Sequence, residues 1–301
     1  MTKQTLFYQF YIAIEKCFSL GVDKHSYKKS GEIKIKIFSY EDRRSIVKIT
    51  NQLCKWIEYN YPDIKFIKDI KEIHIKEFLA DKSKICTENT IKKYKYCIRK
   101  LQKMVRQEMY LNVTYISEDM HLEIKNKTLR NIQLEPEHID IILKECELSR
   151  SKSVLGIKFA ILFGLRVSEI CKLQGRDIRI DEKILHIHDS KGKRCRNIKI
   201  ANKEQLDLCI KTKEVIGDRE RICPLREDSV NDVIRRMLSK NNIIIYKEHK
   251  TGIHAIRKSY AKNNYCINLE KSKSEKLAWE ETSRNLGHSS ARTTLKNVYV
   301  K

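Results

Sequence analysis

The sequence predicts a mainly α-helical protein with one small β-sheet, built as two successive domains. Three observations predict this. Apolar residues recur at helical spacing through most of residues 3–108. A poorly periodic stretch, residues 111–131, then separates that region from a second one. Within the second region, three short β-branched runs cluster between residues 178 and 200, with helical runs on both sides. A length of 301 residues suits two ordinary domains, and an apolar content of 41% is enough for sizeable cores.

Residues 3–20 are expected to form a helix. Leu6, Phe7, Phe10, Tyr11, Ile14 and Phe18 share one side of it, and Gly21 ends the run. Residues 1–38 are read either as a third small arm-like module or as an extra layer on the domain that follows, and the broad apolar face of this helix, which needs covering, favours the layer. Val22–Phe38 is basic and reads as a connector. Ser39-x-x-Asp42 resembles a helix start. The helix behind it buries Ile46, Ile49, Leu53, Trp56 and Ile57, and Asn60-Tyr-Pro stops it. Ile73–Leu79 reads as a short third helix.

Thr87 opens the clearest helix, which runs to about Glu108. Ile91, Tyr94, Ile98, Leu101 and Val105 form its apolar stripe. The other faces carry Lys92, Lys93, Lys95, Arg99, Lys100, Lys103 and Arg106, with no acid from Lys92 to Gln107. Such a face is either solvated surface or a phosphate-contacting surface. Seven like charges repel one another without a polyanion nearby, which favours phosphate.

The second domain opens with Leu134-Glu-Pro-Glu, where Pro136 suits the first helical position. Ser153–Phe163 is a strongly apolar helix. Strands are expected at Ile178–Ile180, Ile184–Ile187 and Cys195–Ile200, with a turn at Ser190–Lys193. Helices follow at about 203–214, 228–240, 252–266 and 274–286. The expected organisation is therefore 1–38, 39–125 and 134–301.

Charge narrows the partners. Lys and Arg outnumber Asp and Glu by 62 to 39, a net charge of +23, which favours a polyanion. The ten cysteines form no C-x-x-C pair, and no histidine pair has zinc spacing, so no metal centre is expected. Reduced thiols in a cytoplasm are the expectation. The apolar runs are too short to span a bilayer, and the first helix is not basic, which argues against membrane docking.

Cleaving a phosphodiester with a side chain needs a nucleophile, cations around the phosphate oxygens, an acid for the leaving oxygen, and in-line geometry. Tyr299 is the candidate nucleophile; a phenol has a pKa near 10 and needs positive charge close by. Arg166 follows an apolar helix, where an arginine requires an anion, either Glu169 or a phosphate. His254 and Arg257 lie three apart and share a helix face. Lys191, at the hairpin turn, is the candidate acid, with Lys193 and Arg194 as rivals. His288 follows Leu286-Gly287 and is placed to donate a hydrogen bond to phosphate.

Together, GLRVSE at 164–169, KGKRCR at 191–196, HAIR at 254–257, LGHS at 286–289 and Tyr299 resemble the tyrosine recombinases, or phage-type integrases. The stretch T-x-x-T-I-x-x-Y at Thr87–Tyr94 is similar to the start of the last helix of that family's core-binding domain. The resemblance covers about residues 40–301. It implies a helical core-binding domain followed by a mixed α/β catalytic domain. It also implies site-specific recombination through a 3′-phosphotyrosyl intermediate, without metal or other cofactor.

The implied catalytic set is Arg166, Lys191, His254, Arg257, His288 and Tyr299. The implied partner is double-stranded DNA, held by a homotetramer on two sites, with DNA-bending helper proteins possible and no membrane. A nucleoid-associated protein of the cytoplasm, encoded by a mobile element, is the matching biology. Tyr299 lies eleven residues after His288, one or two more than is usual in the family, and two residues follow it. A non-cutting DNA-binding protein of the same fold, and a topoisomerase-like nicking-closing enzyme, are the alternatives.

Overall fold

A computed structural model describes residues 5–117, 120, 132–190, 194–288 and 296–300. The chain divides into two units between residues 129 and 130.

The first unit begins with α1 (Leu6–Lys16), whose N-terminus is capped by the Thr5 hydroxyl. This helix stops earlier than residue 20. Phe18 instead bridges Ile37, with Ile37 N–H donating to the Cys17 carbonyl at 2.8 Å and Ser19 N–H to the Ile37 carbonyl at 2.9 Å. The expected connector holds a short helix, α2 (Lys24–Lys29). Ser39 caps α3 (Tyr40–Asn60). The third helix, α4 (Glu72–Ile85), is longer than the apolar spacing suggested. Thr87 caps α5 (Glu88–Met109).

Phe10, Ile14, Ile46, Leu53, Phe78 and Leu101 meet in one core, so α1 shares a core with α3, α4 and α5. Part of the expected linker is core as well. Tyr115 is fully buried, its hydroxyl donating to the Ile67 carbonyl at 3.0 Å. Gln102 Oε1 accepts from the backbone N–H of Tyr115 at 2.7 Å and of Ile116 at 2.9 Å.

The second unit opens with α6 (Pro136–Leu148), with Pro136 in its first turn, and α7 (Val154–Phe163). A four-residue helix follows, α8 (Val167–Ile170), which the sequence periodicity did not reveal. The strands β1 (Ile178–Arg179), β2 (Ile184–Ser190) and β3 (Arg194–Lys199) form an antiparallel sheet in the order β1-β2-β3. The remaining helices are α9 (Lys203–Val215), α10 (Glu227–Lys240), α11 (Ile245–Glu248), α12 (Ile253–Ser272), α13 (Glu275–Asn285) and α14 (Lys296–Tyr299). Phe159, Phe163, Leu185, Ile198, Ile234 and Ile256 belong to the main core of this unit. A smaller cluster joins Tyr265, Trp279, Leu286 and Tyr299.

Gly164 ends α7 in the left-handed conformation, φ +62°, and a Cβ there would lie 2.2 Å from the Tyr260 ring. Gly164→Ala is expected to cost roughly 2–4 kcal/mol, combining backbone strain and overpacking. A lowered urea midpoint would register it; an unchanged midpoint would refute the account. Among the described residues, no helix is long and apolar enough to cross a membrane.

Candidate active site

The site is built around an arginine that is almost wholly buried. Ile253, Ala255 and Ile256 commit the first turns of α12 to the core, and Arg257 follows them inward with 1% of its surface exposed. Its Nη1 donates to the carbonyl of Gly164, at the end of α7, and its Nη2 to the carbonyl of Leu286, at the end of α13. Nη2 also lies 3.4 Å from His288 Nε2. Burial, and then repulsion from Arg166, push its pKa down to about 10, partly opposed by Tyr299 and Glu169. The guanidinium therefore stays charged at neutral pH.

Glu169 is the counter-charge. It sits on α8 and is 3% exposed. Its Oε2 accepts the Arg166 backbone N–H at 2.8 Å, and its Oε1 accepts Arg166 Nη1 at 2.7 Å. Arg196, from β3, adds a two-pronged contact, Nη1 to Oε1 at 2.7 Å and Nη2 to Oε2 at 2.9 Å. Arg257 Nη1 stands 3.9 Å from Oε2. Burial alone would raise the carboxyl pKa; the Arg196 hydrogen bonds and charge, with the charge of Arg257, outweigh it and hold the group well below the usual carboxylate range. Arg166 thus has the carboxylate partner that its position requires, and its side chain remains the most exposed of the three guanidiniums at 18%.

Tyr299 completes the cluster. It is buried on α14, with its ring centroid 5.6 Å from that of His288 and 6.1 Å from that of His254. Lys296 ties α14 to α13 through Glu275 at 2.6 Å, and its ammonium lies 5.1 Å from the centre of the Tyr265 ring. The eleven-residue separation from His288 therefore still sets the two rings side by side. Gly287, φ +67°, makes the turn before His288, and a Cβ on it would lie 2.9 Å from Arg196 Cδ.

Five of the six expected catalytic residues thus come together: Arg166, His254, Arg257, His288 and Tyr299. Lys191 lies outside the described residues, as does Lys193. Two members of the cluster were not singled out from sequence. Glu169 was weighed only as a partner for Arg166, although it stands in the same GLRVSE stretch. Arg196 is the last residue of KGKRCR, a stretch in which Lys191, Lys193 and Arg194 were weighed as the acid and Arg196 was given no role of its own.

In the first unit, the seven basic residues of α5 do not form one open face. Lys92, Lys93, Arg99, Lys103 and Arg106 are exposed. Lys92 pairs with Glu88 at 2.6 Å, and Arg106 donates to the Val113 carbonyl at 2.7 Å. Arg99 Nη2 reaches the Ser117 carbonyl at 3.4 Å. Lys95 is half-buried on the Met120 carbonyl at 2.8 Å, and burial lowers its pKa. Lys100 departs from the expectation of a phosphate-contacting surface. It is 7% exposed, and its ammonium is 2.5 Å from Asp42, an acid on α3 that the count along α5 did not include. A cleft of about 400 Å³ brings Lys34 and Lys36 from the connector beside Arg99 and Lys103.

Known proteins share the fold. A tyrosine recombinase of Pseudothermotoga lettingae is 27% identical over 221 residues, 69% of this chain and 72% of that protein. The Tn1549 transposon integrase, solved with transposon right end DNA, has a TM-score of 0.63 at 17% identity, over 99% of this chain and 95% of that one. A lambda integrase tetramer bound to a Holliday junction has a TM-score of 0.61 at 18% identity, over 97% and 80% of the two chains. Residues 133–301 match the phage integrase family. That match spans more than half of the chain and takes in every motif of the cluster, so the protein belongs to the phage integrase family, the tyrosine-type site-specific DNA recombinases.

Proposed function

We propose that Tyr299 is the nucleophile that cuts one strand of duplex DNA. Its phenol oxygen attacks the phosphorus, the bond to the 5′-oxygen breaks, and a 3′-phosphotyrosyl link forms. The phenol gives its proton to His254 or to water, and the departing 5′-oxygen gains one from Lys191. Joining reverses these steps, with the 5′-hydroxyl of a second strand attacking the phosphotyrosine. The link conserves the energy of the phosphodiester, so the steps need neither ATP nor metal.

The observation that carries this reading is the meeting of the Tyr299 ring with His254 and His288 beside a buried arginine cluster. Three guanidiniums face one carboxylate there, which leaves an excess of positive charge where a phosphate would gain negative charge. Arg166, Arg257 and His288 stabilise that charge, and His254 positions the phosphate or moves the proton. One well-placed arginine contributes about 10³- to 10⁵-fold in other phosphoryl transfers.

The first unit holds the duplex, mostly through phosphates, with Lys92, Lys93, Arg99, Lys103 and Arg106 as the contacts. Four subunits on two sites follow from two cuts per duplex, and the lambda integrase tetramer on a Holliday junction is in keeping with that count. DNA-bending helper proteins, a mobile-element substrate and a place on the nucleoid in the cytoplasm belong to the same proposal.

The test is chemical. The protein is incubated with duplex fragments flanking its own gene, denatured in detergent, and digested with protease and nuclease. Mass spectrometry is expected to find a nucleotide on the peptide that contains Tyr299. A nucleotide on another residue, or no adduct with any fragment, would overturn the assignment.

Binding makes a separate prediction. The logarithm of the duplex affinity is expected to fall linearly with the logarithm of salt concentration. Alanine at Lys92, Lys93 or Lys103 is expected to reduce that slope by about 0.9 each. Lys100→Ala is expected to lower stability and leave the slope unchanged, because its charge belongs to Asp42. Equal slopes in all four variants would remove α5 from the interface.

A further inference from the structure

Arg196 enters the site from the sheet. Its register partner on β2 is Ile187, and both of its terminal nitrogens lie on Glu169. An ionised carboxylate offers about four lone-pair sites. Arg196 supplies two donors to them, and Arg166 supplies two more, from its side chain and its backbone. Arg257, at 3.9 Å, is left outside hydrogen-bonding range of the carboxylate, and its donors go to Gly164, Leu286 and the neighbourhood of His288. The Arg196 side chain also fills the space that a Cβ on Gly287 would need.

We infer that Arg196 is a positioning residue for strand cleavage: its two-pronged hold on Glu169 occupies the carboxylate, so that Glu169 does not draw Arg166 and Arg257 away from the phosphate. This rests on the cleavage mechanism proposed above. Without Arg196, the acceptor sites it fills on Glu169 open, and among the described residues Arg257 Nη1 is the cation standing nearest to them after Arg166. Moving Arg257 inward would loosen the turn that presents His288.

Charge makes the same point. Three guanidiniums and one carboxylate leave +2, which matches a diester phosphate under attack by a phenolate. Arg196→Gln leaves +1. The double variant Glu169→Gln with Arg196→Gln returns to +2, with Arg166 and Arg257 released from the acid.

The inference therefore predicts that a second substitution rescues the first. Single-turnover cleavage is measured on the duplex that gives the wild-type adduct, below the melting temperature of every variant. Arg196→Gln is expected to slow cleavage by about 100-fold, the usual scale of a misplaced catalytic group. Its DNA affinity is expected to stay within about twofold of wild type, since Arg196 is assigned no phosphate contact. The double variant is expected to recover at least about tenfold, as coupled neighbours do.

A tether that merely fastened the hairpin predicts the opposite, a double variant no faster than Arg196→Gln, and that result would overturn the inference. So would a wild-type rate in Arg196→Gln. Should that variant not fold, Arg196→Lys keeps the charge and loses the two-pronged geometry. It is expected to cut about tenfold more slowly at unchanged affinity, and a wild-type rate in it would overturn the inference equally. Wild type and Tyr299→Phe run alongside. An adduct that Tyr299→Phe loses, with Arg196→Gln as fast as wild type, sinks the role of Arg196 alone. No wild-type adduct, or one that survives Tyr299→Phe, sinks the mechanism and this inference with it.

Discussion

Replacing Tyr299 with phenylalanine is expected to abolish the covalent protein–DNA adduct while leaving the fold and the DNA affinity in place. The reason lies in what the substitution removes. The ring of Tyr299 packs with Tyr265, Trp279 and Leu286, and phenylalanine fills the same space. Only the hydroxyl goes, a change on the order of 1 kcal/mol when a single hydrogen-bonding group is lost. The chemistry loses its attacking atom entirely. Detergent-resistant adduct, urea midpoint and salt-dependent affinity, measured on the same preparation, separate these effects. Wild-type adduct in the variant would mean that another residue attacks.

A second large effect is expected at Arg257. Arg257→Ala removes the donors to the Gly164 and Leu286 carbonyls and leaves Glu169 with less positive charge around it. Breaking a buried charge cluster by removing one member costs about 3–5 kcal/mol. Cleavage is expected to fall with it by about 10³-fold or more, the low end of what an arginine contributes to phosphoryl transfer. Arg257→Lys keeps the charge but cannot span both carbonyls, so it is expected to lie between the two. Urea unfolding and single-turnover cleavage give the two readouts. An alanine variant as stable as wild type would contradict the burial and bonding described for this residue.

Much of this arrangement was legible in the sequence, and the reasons are physical. Ser39 and Thr87 cap their helices where the local pattern places them, because capping uses residues three apart. The stripe of Ile91, Tyr94, Ile98, Leu101 and Val105 is buried as its spacing requires. The catalytic candidates sit in short stretches whose order along the chain carries the family resemblance.

The features that escaped depend on distant partners. The end of α1 is set by the bridge from Phe18 to Ile37, which no helix signal encodes. Lys100 is neutralised by an acid 58 positions away, and Arg196 meets Glu169 across 27 positions. Residues 111–117 lack periodicity because they are held by Gln102 and by the burial of Tyr115 rather than by their own pattern.

The double duty proposed for Arg257, in the fold and in catalysis, bears on how such a gene loses its activity. This arginine joins the ends of α7 and α13, so a lesion there damages the architecture together with the chemistry, and the product is open to proteolysis. The Tyr299 hydroxyl carries little of the architecture. A lineage drifting from cutting DNA towards only occupying it would keep Arg257 and shed the tyrosine oxygen first. Descendants with an intact arginine cluster and a phenylalanine at position 299 would be repressors in the making, and those with the reverse pattern would be debris.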